Sequence, residues 1–178
     1  MDDSACSDIS ESPEYLQTSL AAAMTLGFKK GKFYRDTKLY CVNLLLTYQT
    51  GCRASCAFCG LSKSRQIEGK ESDKSFIRVE WPIYKLNNII EALNSENCDH
   101  VERVCVSMVT NKRAVEDLLM VNRRLNKETH KLLSSLIAPT VITKNWLHDL
   151  KNSGTDKVGI AIDAANPELF KQLRGTGV

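Results

Sequence analysis

The stretch Gly51-Cys52-Arg53-Ala54-Ser55-Cys56-Ala57-Phe58-Cys59-Gly60 puts three cysteines at C-x3-C-x2-C spacing within eight residues. Thiolates so close in sequence can wrap one cuboidal iron–sulfur cluster, and they supply one ligand fewer than its four irons need. An iron without a protein thiolate can bind a small molecule, just as a catalytic zinc keeps the open position that a structural zinc closes. Zinc is the other chemistry three cysteines suggest. It wants a fourth ligand at knuckle spacing, and the nearest candidates, Cys41, Cys98 and His100, stand far away in sequence and unpaired. A disulfide framework fits less well, because the seven cysteines are an odd number and 178 residues can fold without staples.

The elements that must position this loop can be read on either side of it. Leu39 to Tyr48 (LYCVNLLLTY) is a nearly continuous apolar run of strand length, as expected for a strand buried on both faces of a parallel sheet. The cysteines begin at its C-terminal end, where loops converge into sites in parallel α/β architectures. A second strand fits Val101 to Val109, a third Leu132 to Ala138 and a fourth Lys157 to Asp163. Helices fill the intervals. Leu86, Ile89, Ile90 and Leu93 fall at i, i+3, i+4, i+7, and Val115, Leu118 and Leu119 share a face of a helix from Lys112 to Leu125. Thr143 caps a helix bearing Trp146, Leu147 and Leu150 that Gly154 closes, and Asn166-Pro167-Glu168 opens another with an amide cap, a proline at the first position and an acid on the dipole's positive end.

Ahead of the first strand, Leu16, Leu20 and Met24 predict a helix with Ser12 as N-cap, Pro13 at its first position and Gly27 as its stop. The organisation expected is a disordered acidic tail over 1–11, this helix and a basic linker over 12–38, and the main domain over 39–178. Leu61 to Tyr84 is too long for an ordinary βα connection and reads as a functional loop. Its Ser62, Lys63, Ser64 and Arg65 could reach a cofactor or an anionic substrate, and Phe76 to Trp81 alternates like an extended piece. A helix followed by four βα units predicts an α/β fold of TIM-like or half-barrel type. Four parallel strands leave an unpaired edge on each side, which predicts that the chain is truncated, with another chain completing the barrel as the alternative.

The C-x3-C-x2-C spacing, with Phe58 just before the last cysteine, resembles the signature of the radical S-adenosylmethionine (radical SAM) enzymes. That resemblance implies a partial (β/α)6 radical SAM barrel, about four of whose βα units are present, with an N-terminal helix in front. It implies that Cys52, Cys56 and Cys59 hold a 4Fe–4S cluster, that the open iron chelates the methionine amine and carboxylate of S-adenosyl-L-methionine (SAM), and that Phe58 lies near the adenine. It also implies an electron donor such as ferredoxin or flavodoxin. A low-potential electron from the cluster breaks a carbon–sulfur bond of the sulfonium, leaving a 5′-deoxyadenosyl radical that takes hydrogen from unactivated carbon, so the cofactor carries the hard chemistry.

Other positions extend the resemblance. At the end of the second strand many members carry Gly-Gly-Glu, which holds the SAM amine; here stand Ser107-Met108-Val109 and then Thr110-Asn111, so backbone carbonyls around Met108, or Ser107 or Thr110, would accept those hydrogen bonds. Asp163 matches a position whose carboxylate hydrogen-bonds the SAM ribose, a turn or helix-capping aspartate being the other reading. Cys105 stands where biotin synthase has a second-cluster ligand, but the third strand, Leu-Leu-Ser-Ser-Leu-Ile, lacks the partner cysteine; a small buried hydrophobe is the alternative. Leu20-Ala21-Ala22-Ala23-Met24, Cys59-Gly60-Leu61-Ser62, Ile160 to Ala165 and Leu173-Arg174-Gly175 look like the biotin synthase and lipoyl synthase branch, most of all the second subunit of two-protein lipoyl synthases. The implied activity is that of a sulfurtransferase inserting sulfur into an octanoyl chain on a lipoyl-domain protein, with a sister radical SAM subunit as partner. Single-chain lipoyl synthases have a further three-cysteine motif that this sequence lacks, so an auxiliary iron–sulfur cluster would draw its ligands mostly from outside this chain.

Charge and composition bound the partners. The chain carries 24 Lys and Arg against 21 Asp and Glu, yet five of the acids fall in residues 1–14, which hold no Lys or Arg; the rest has 24 basic and 16 acidic residues. A basic body suits an anionic partner, and a solvated surface is the plain alternative. Phe28 to Lys38 interleaves basic and aromatic residues as RNA-binding segments do, which keeps a radical SAM enzyme acting on tRNA as a rival reading, although such a loop is more often simply solvated and no nucleic acid partner is expected. A non-enzymatic zinc-holding module or inert fragment is the third. No apolar run approaches membrane-spanning length, and the acidic, serine-containing opening residues do not resemble a signal peptide, so the expected location is a reducing cytoplasm with no membrane partner.

Overall fold

Val42, Leu44 and Leu46 alternate with Cys41 and Asn43 along the strand that leads to the cysteines, and the alternation sorts them onto two faces. In the computed structural model, which describes residues 10–61 and 81–174, this strand is β2 (Cys41–Leu46). It runs parallel to β4 (Arg103–Ser107), β5 (Leu132–Ile137) and β6 (Thr155–Ile160). Register stacks Val42 beside Val104 and Leu133, and Leu44 beside Val106. These side chains are buried against α2 (Leu86–Leu93), α3 (Ala114–Glu128) and α4 (Lys144–Asn152) in one aliphatic core. A fully buried Val or Leu there contributes about 1.5–3 kcal/mol.

The opposite face differs. Cys41, Asn43, Arg103, Cys105, Ser107 and Ser134 are only half-buried, so the expectation of a strand buried on both faces holds at Leu45, which is buried on this side, and is corrected for the rest: β2 has one dry face and one that is more open. The order β2-β4-β5-β6 never reverses. Right-handed crossovers in a sheet that grows in one direction put every connecting helix on the same side. Such single winding contrasts with doubly wound sheets, in which the strand order reverses.

The remaining strands overturn two further expectations. The helix expected from Ser12 begins only at Leu20: α1 (Leu20–Thr25) is capped by Ser19, whose Oγ accepts from the Ala22 N–H at 3.1 Å. The residues ahead of it form β1 (Tyr15–Thr18), antiparallel to β2, with Leu16 beside Leu46. Leu16 and Thr18 are fully buried at alternate positions. An unpaired edge of β2 offers ladder hydrogen bonds that a helix at this place could not satisfy, and pairing overrides the i, i+4 spacing of Leu16, Leu20 and Met24. The second correction follows, because β2 has both edges occupied and β3 (Ile83–Lys85) pairs antiparallel outside β1. The sheet is therefore six-stranded and mixed within an α/β fold, with five helices among the described residues.

Boundaries move elsewhere for local reasons. The fourth parallel strand was expected at Lys157–Asp163, but β6 starts at Thr155, directly after Gly154 turns the chain at φ +100°. The Asn122 amide donates to both Ser135 Oγ and Thr155 Oγ1, at 2.8 and 2.9 Å, and fixes that start from α3. One residue later the register slips, and Asp156 is the extra residue whose carboxylate turns to Arg103, with Nη2 to Oδ2 at 2.9 Å. Asp163 consequently lies beyond β6, in the loop before α5 (Pro167–Arg174). Thr143 and Asn166 cap α4 and α5 as expected, accepting from the Trp146 and Leu169 N–H groups. Residues 1–9 of the expected acidic tail, the loop residues Ser62, Lys63, Ser64 and Arg65, and the extended piece up to residue 80 lie outside the described residues. Glu11, expected in the tail, is anchored.

Candidate metal centre

β2 ends at Leu46, and five residues later the chain reaches Gly51 at φ +64°, a conformation that favours glycine. The Gly51 N–H donates to the Tyr48 carbonyl at 2.9 Å, closing the turn that presents Cys52. From there the cysteine loop is tied on two sides. Arg53 N–H donates to the carbonyl of Thr110, just beyond β4, at 2.7 Å, and Ala57 N–H donates to the carbonyl of Leu173, in the last turn of α5, at 2.8 Å. The Asn111 amide adds a bond to Thr50 Oγ1 at 3.1 Å. The loop thus lies over the C-terminal ends of β2 and β4 with α5 drawn onto it.

Cys56 is buried, and Cys52 and Cys59 are half-buried. Burial pushes the Cys56 and Cys59 thiols up, and the nearby sulfurs of the other cysteines push the same way. Opposing this, the Arg174 guanidinium hydrogen-bonds Cys56 and lowers it. Arg174 also pairs with the carboxylate of Asp163, so Asp163 reaches the cysteine loop through that cation. Three thiols on one loop are soft donors of the kind that iron–sulfur clusters and other soft metal centres take as thiolates, displacing the protons that burial holds on Cys56 and Cys59. On that test of donor chemistry the three cysteines fit a metal cluster.

Among the described residues, no three His, Cys, Asp or Glu side chains are gathered to hold a metal ion. The candidates for a fourth ligand are at the wrong end. Cys41 opens β2, and Cys98 and His100 precede β4, so all three stand at the N-terminal end of the parallel strands, about 20 Å from the loop at 3.3 Å per strand residue. Cys98 is buried, with Sγ donating to the Thr25 carbonyl at 3.5 Å, and His100 meets Tyr40 edge to face.

The other expected positions are only partly brought together. Phe58 is half-buried on the loop. Ser107 ends β4 on the open face, in register with Leu45 and Leu136. Met108 packs on the core, and its N–H donates to the Leu136 carbonyl at 3.0 Å. The Thr110 carbonyl already accepts from Arg53. Cys105 is half-buried on the open face near Cys41, whose thiol burial pushes up with a further push from Cys105. The contacts of three contributors could not be read from the sequence: Arg174, Asn111 and Glu11 lie between 38 and 118 residues from the residues of the cysteine loop and its arm that they touch, and only the fold joins them. Among the described residues no helix is long and apolar enough to cross a membrane. The chain matches no family model, and no curated protein matches it.

Proposed function

We propose that this chain is the cluster-bearing part of a radical SAM enzyme with a partial barrel, in which Cys52, Cys56 and Cys59 hold a 4Fe–4S cluster. One observation carries the reading: a three-thiol loop sits over the C-terminal ends of a singly wound parallel sheet. When bound, the cluster supplies the electron that splits the sulfonium of SAM. The protein's own residues do the rest. Gly51 and the Arg53–Thr110 bond aim Cys52, the Ala57–Leu173 bond and Arg174 hold the Cys56 side, and half-buried Phe58 offers an apolar surface for an adenine. Ser107 and the paired Asp163 and Arg174 supply polar groups at the same end of the sheet. In its finer form the reading is sulfur insertion into an octanoyl chain carried by a lipoyl-domain protein, with a sister subunit as partner and ferredoxin or flavodoxin as donor. It rests on the sequence resemblance.

Geometry weighs against the tRNA rival. The basic stretch up to Lys38, with Tyr34 79% exposed, precedes β2, so it stands at the opposite end of that strand from the cysteines. A nucleic acid held there must span the length of β2 to reach them. Reconstitution with iron and sulfide under anaerobic conditions tests the main reading. The expected result is about four irons per chain, as the cluster requires, a brown protein, and an electron paramagnetic resonance signal that SAM alters. Cys56→Ala abolishes binding, while Cys6→Ala and Cys98→Ala leave it intact. A colourless protein carrying zinc, or equal loss in all three variants, overturns it.

A further inference from the structure

Cys52 hangs from a short arm, residues 47–51, and a distant piece of chain binds that arm at two of its backbone amides. Ser12 N–H donates to the Thr47 carbonyl at 3.0 Å, and Thr47 N–H donates back to Ser12 Oγ at 3.0 Å. Two residues on, Gln49 N–H donates to Glu11 Oε1 at 2.7 Å. Glu11 presents its other oxygen to Arg113 Nη1 at 2.9 Å. The same guanidinium donates to the Ser12 carbonyl, lies 3.4 Å by Nε from Asp117 and sits over the ring of Tyr48 at 5.5 Å. Tyr48 completes the circuit by donating to Asp117 Oδ2 at 2.8 Å.

One planar cation at the start of α3 therefore stitches together residues 11–12, the arm of the cysteine loop and the α3 carboxylate. A guanidinium can do this because its donors point in fixed directions; a lysine's point charge cannot reproduce the fork. The Arg113 side chain is 50% exposed and that of Glu11 19%, so salt screens the ion pair itself, and what distinguishes the place is that Glu11 and fully buried Ser12 bond directly to the backbone of the arm.

We propose that Glu11 and Arg113 form a latch that holds the Cys52 arm in place, making the N-terminal segment a working part of the metal site. Arg113 and Glu11 are positioning residues: they touch the arm and not the sulfurs. Closing the latch pins the arm from the β1 side while the Arg53–Thr110 bond pins it from the β4 side, so Cys52 is held between two fixed walls. Opening it leaves β2 paired and the core intact, but frees the residues that carry the first thiolate. The consequence for the site rests on the cluster reading above; the latch itself does not.

Amide hydrogen exchange on the metal-free full chain, followed by cluster loss from reconstituted protein to a ferrous chelator, tests both parts. Glu11→Gln is expected to speed exchange at Gln49 and Arg53 about tenfold, the effect of losing roughly one charge-assisted hydrogen bond. It is also expected to speed cluster loss severalfold. Arg113→Lys, which keeps the charge and loses the fork, is expected to speed both in the same way, and Arg124→Ala, which breaks the distant Arg124–Glu128 pair, changes neither. If exchange at Gln49 and Arg53 is unmoved by Glu11→Gln and by Arg113→Ala, the latch is refuted. If exchange responds but wild-type protein takes up no iron, the latch stands and the cluster reading falls.

Discussion

The two faces of the parallel sheet are built from the same strands and do different work. On the helix-covered face Val42, Leu44, Val104, Val106 and Leu133 fill a dry layer, and the polar groups there, Ser135 and Thr155, are satisfied by the Asn122 amide. On the other face the same strands show Cys41, Asn43, Arg103, Cys105, Ser107 and Ser134, half-buried and chemically varied. Period-two alternation lets one strand serve both purposes at once. Stability is concentrated on one side, which leaves the other free to carry groups that a core would exclude.

The sharpest way to break this comparison uses two neighbouring leucines. Leu133 is 1% exposed on the covered face and Leu132 is 53% exposed on the other. Leu133→Ala is expected to lower unfolding free energy by about 2–5 kcal/mol, and Leu132→Ala by less than about 1 kcal/mol, in urea titrations. Similar losses for the two would mean that the faces are not distinct in energy.

A titration sharpens it further, since Asp117 is a carboxylate on the covered side. Burial, which leads, holds its pKa above the ordinary value, with the Tyr48 hydroxyl and Arg113 pulling it down and Glu116 and Glu11 pushing up. A raised carboxylate in the fold means that the charged form destabilises the native state. That burden is present above the folded pKa and is relieved as pH falls through it toward the ordinary carboxylate value. Asp117→Asn is therefore expected to remove a pH dependence: wild type gains on the variant as pH falls through this window. Parallel stability profiles for the two proteins would contradict the assignment.

The smallest effect belongs to the open face. Arg103 and Asp156 are paired in bidentate fashion, holding the arginine above its usual range and the aspartate below its own. Asp156 is 39% exposed, so the pair is screened, and Arg103→Ala should cost less than about 1 kcal/mol, shrinking further in high salt. A loss comparable to that at Leu133 would show this face to be structural.

Much of the fold could be read before its geometry was known, and the reasons are local. β2, β4 and β5 announce themselves by apolar runs of strand length, and α4 and α5 by caps that act within three residues of themselves. β1 could not be read, because Leu16, Leu20 and Met24 satisfy a helical spacing and only the free edge of β2 decides for a strand. The start of β6 depends on Asn122, 33 residues away. The site divides in the same way. Its three sulfurs are a local pattern, whereas the groups that hold them, Thr110, Leu173, Arg174 and the Glu11–Arg113 pair, converge only through tertiary structure.

The antiparallel β1 beside β2 has a consequence for the edges of the sheet. A ring of parallel strands would need a last strand to bond with β2, and that partner position is taken; the outermost strand on this flank, β3, has only three residues to offer. No further strand can pair with β2, so any strand added to this sheet must join at β3 or at β6.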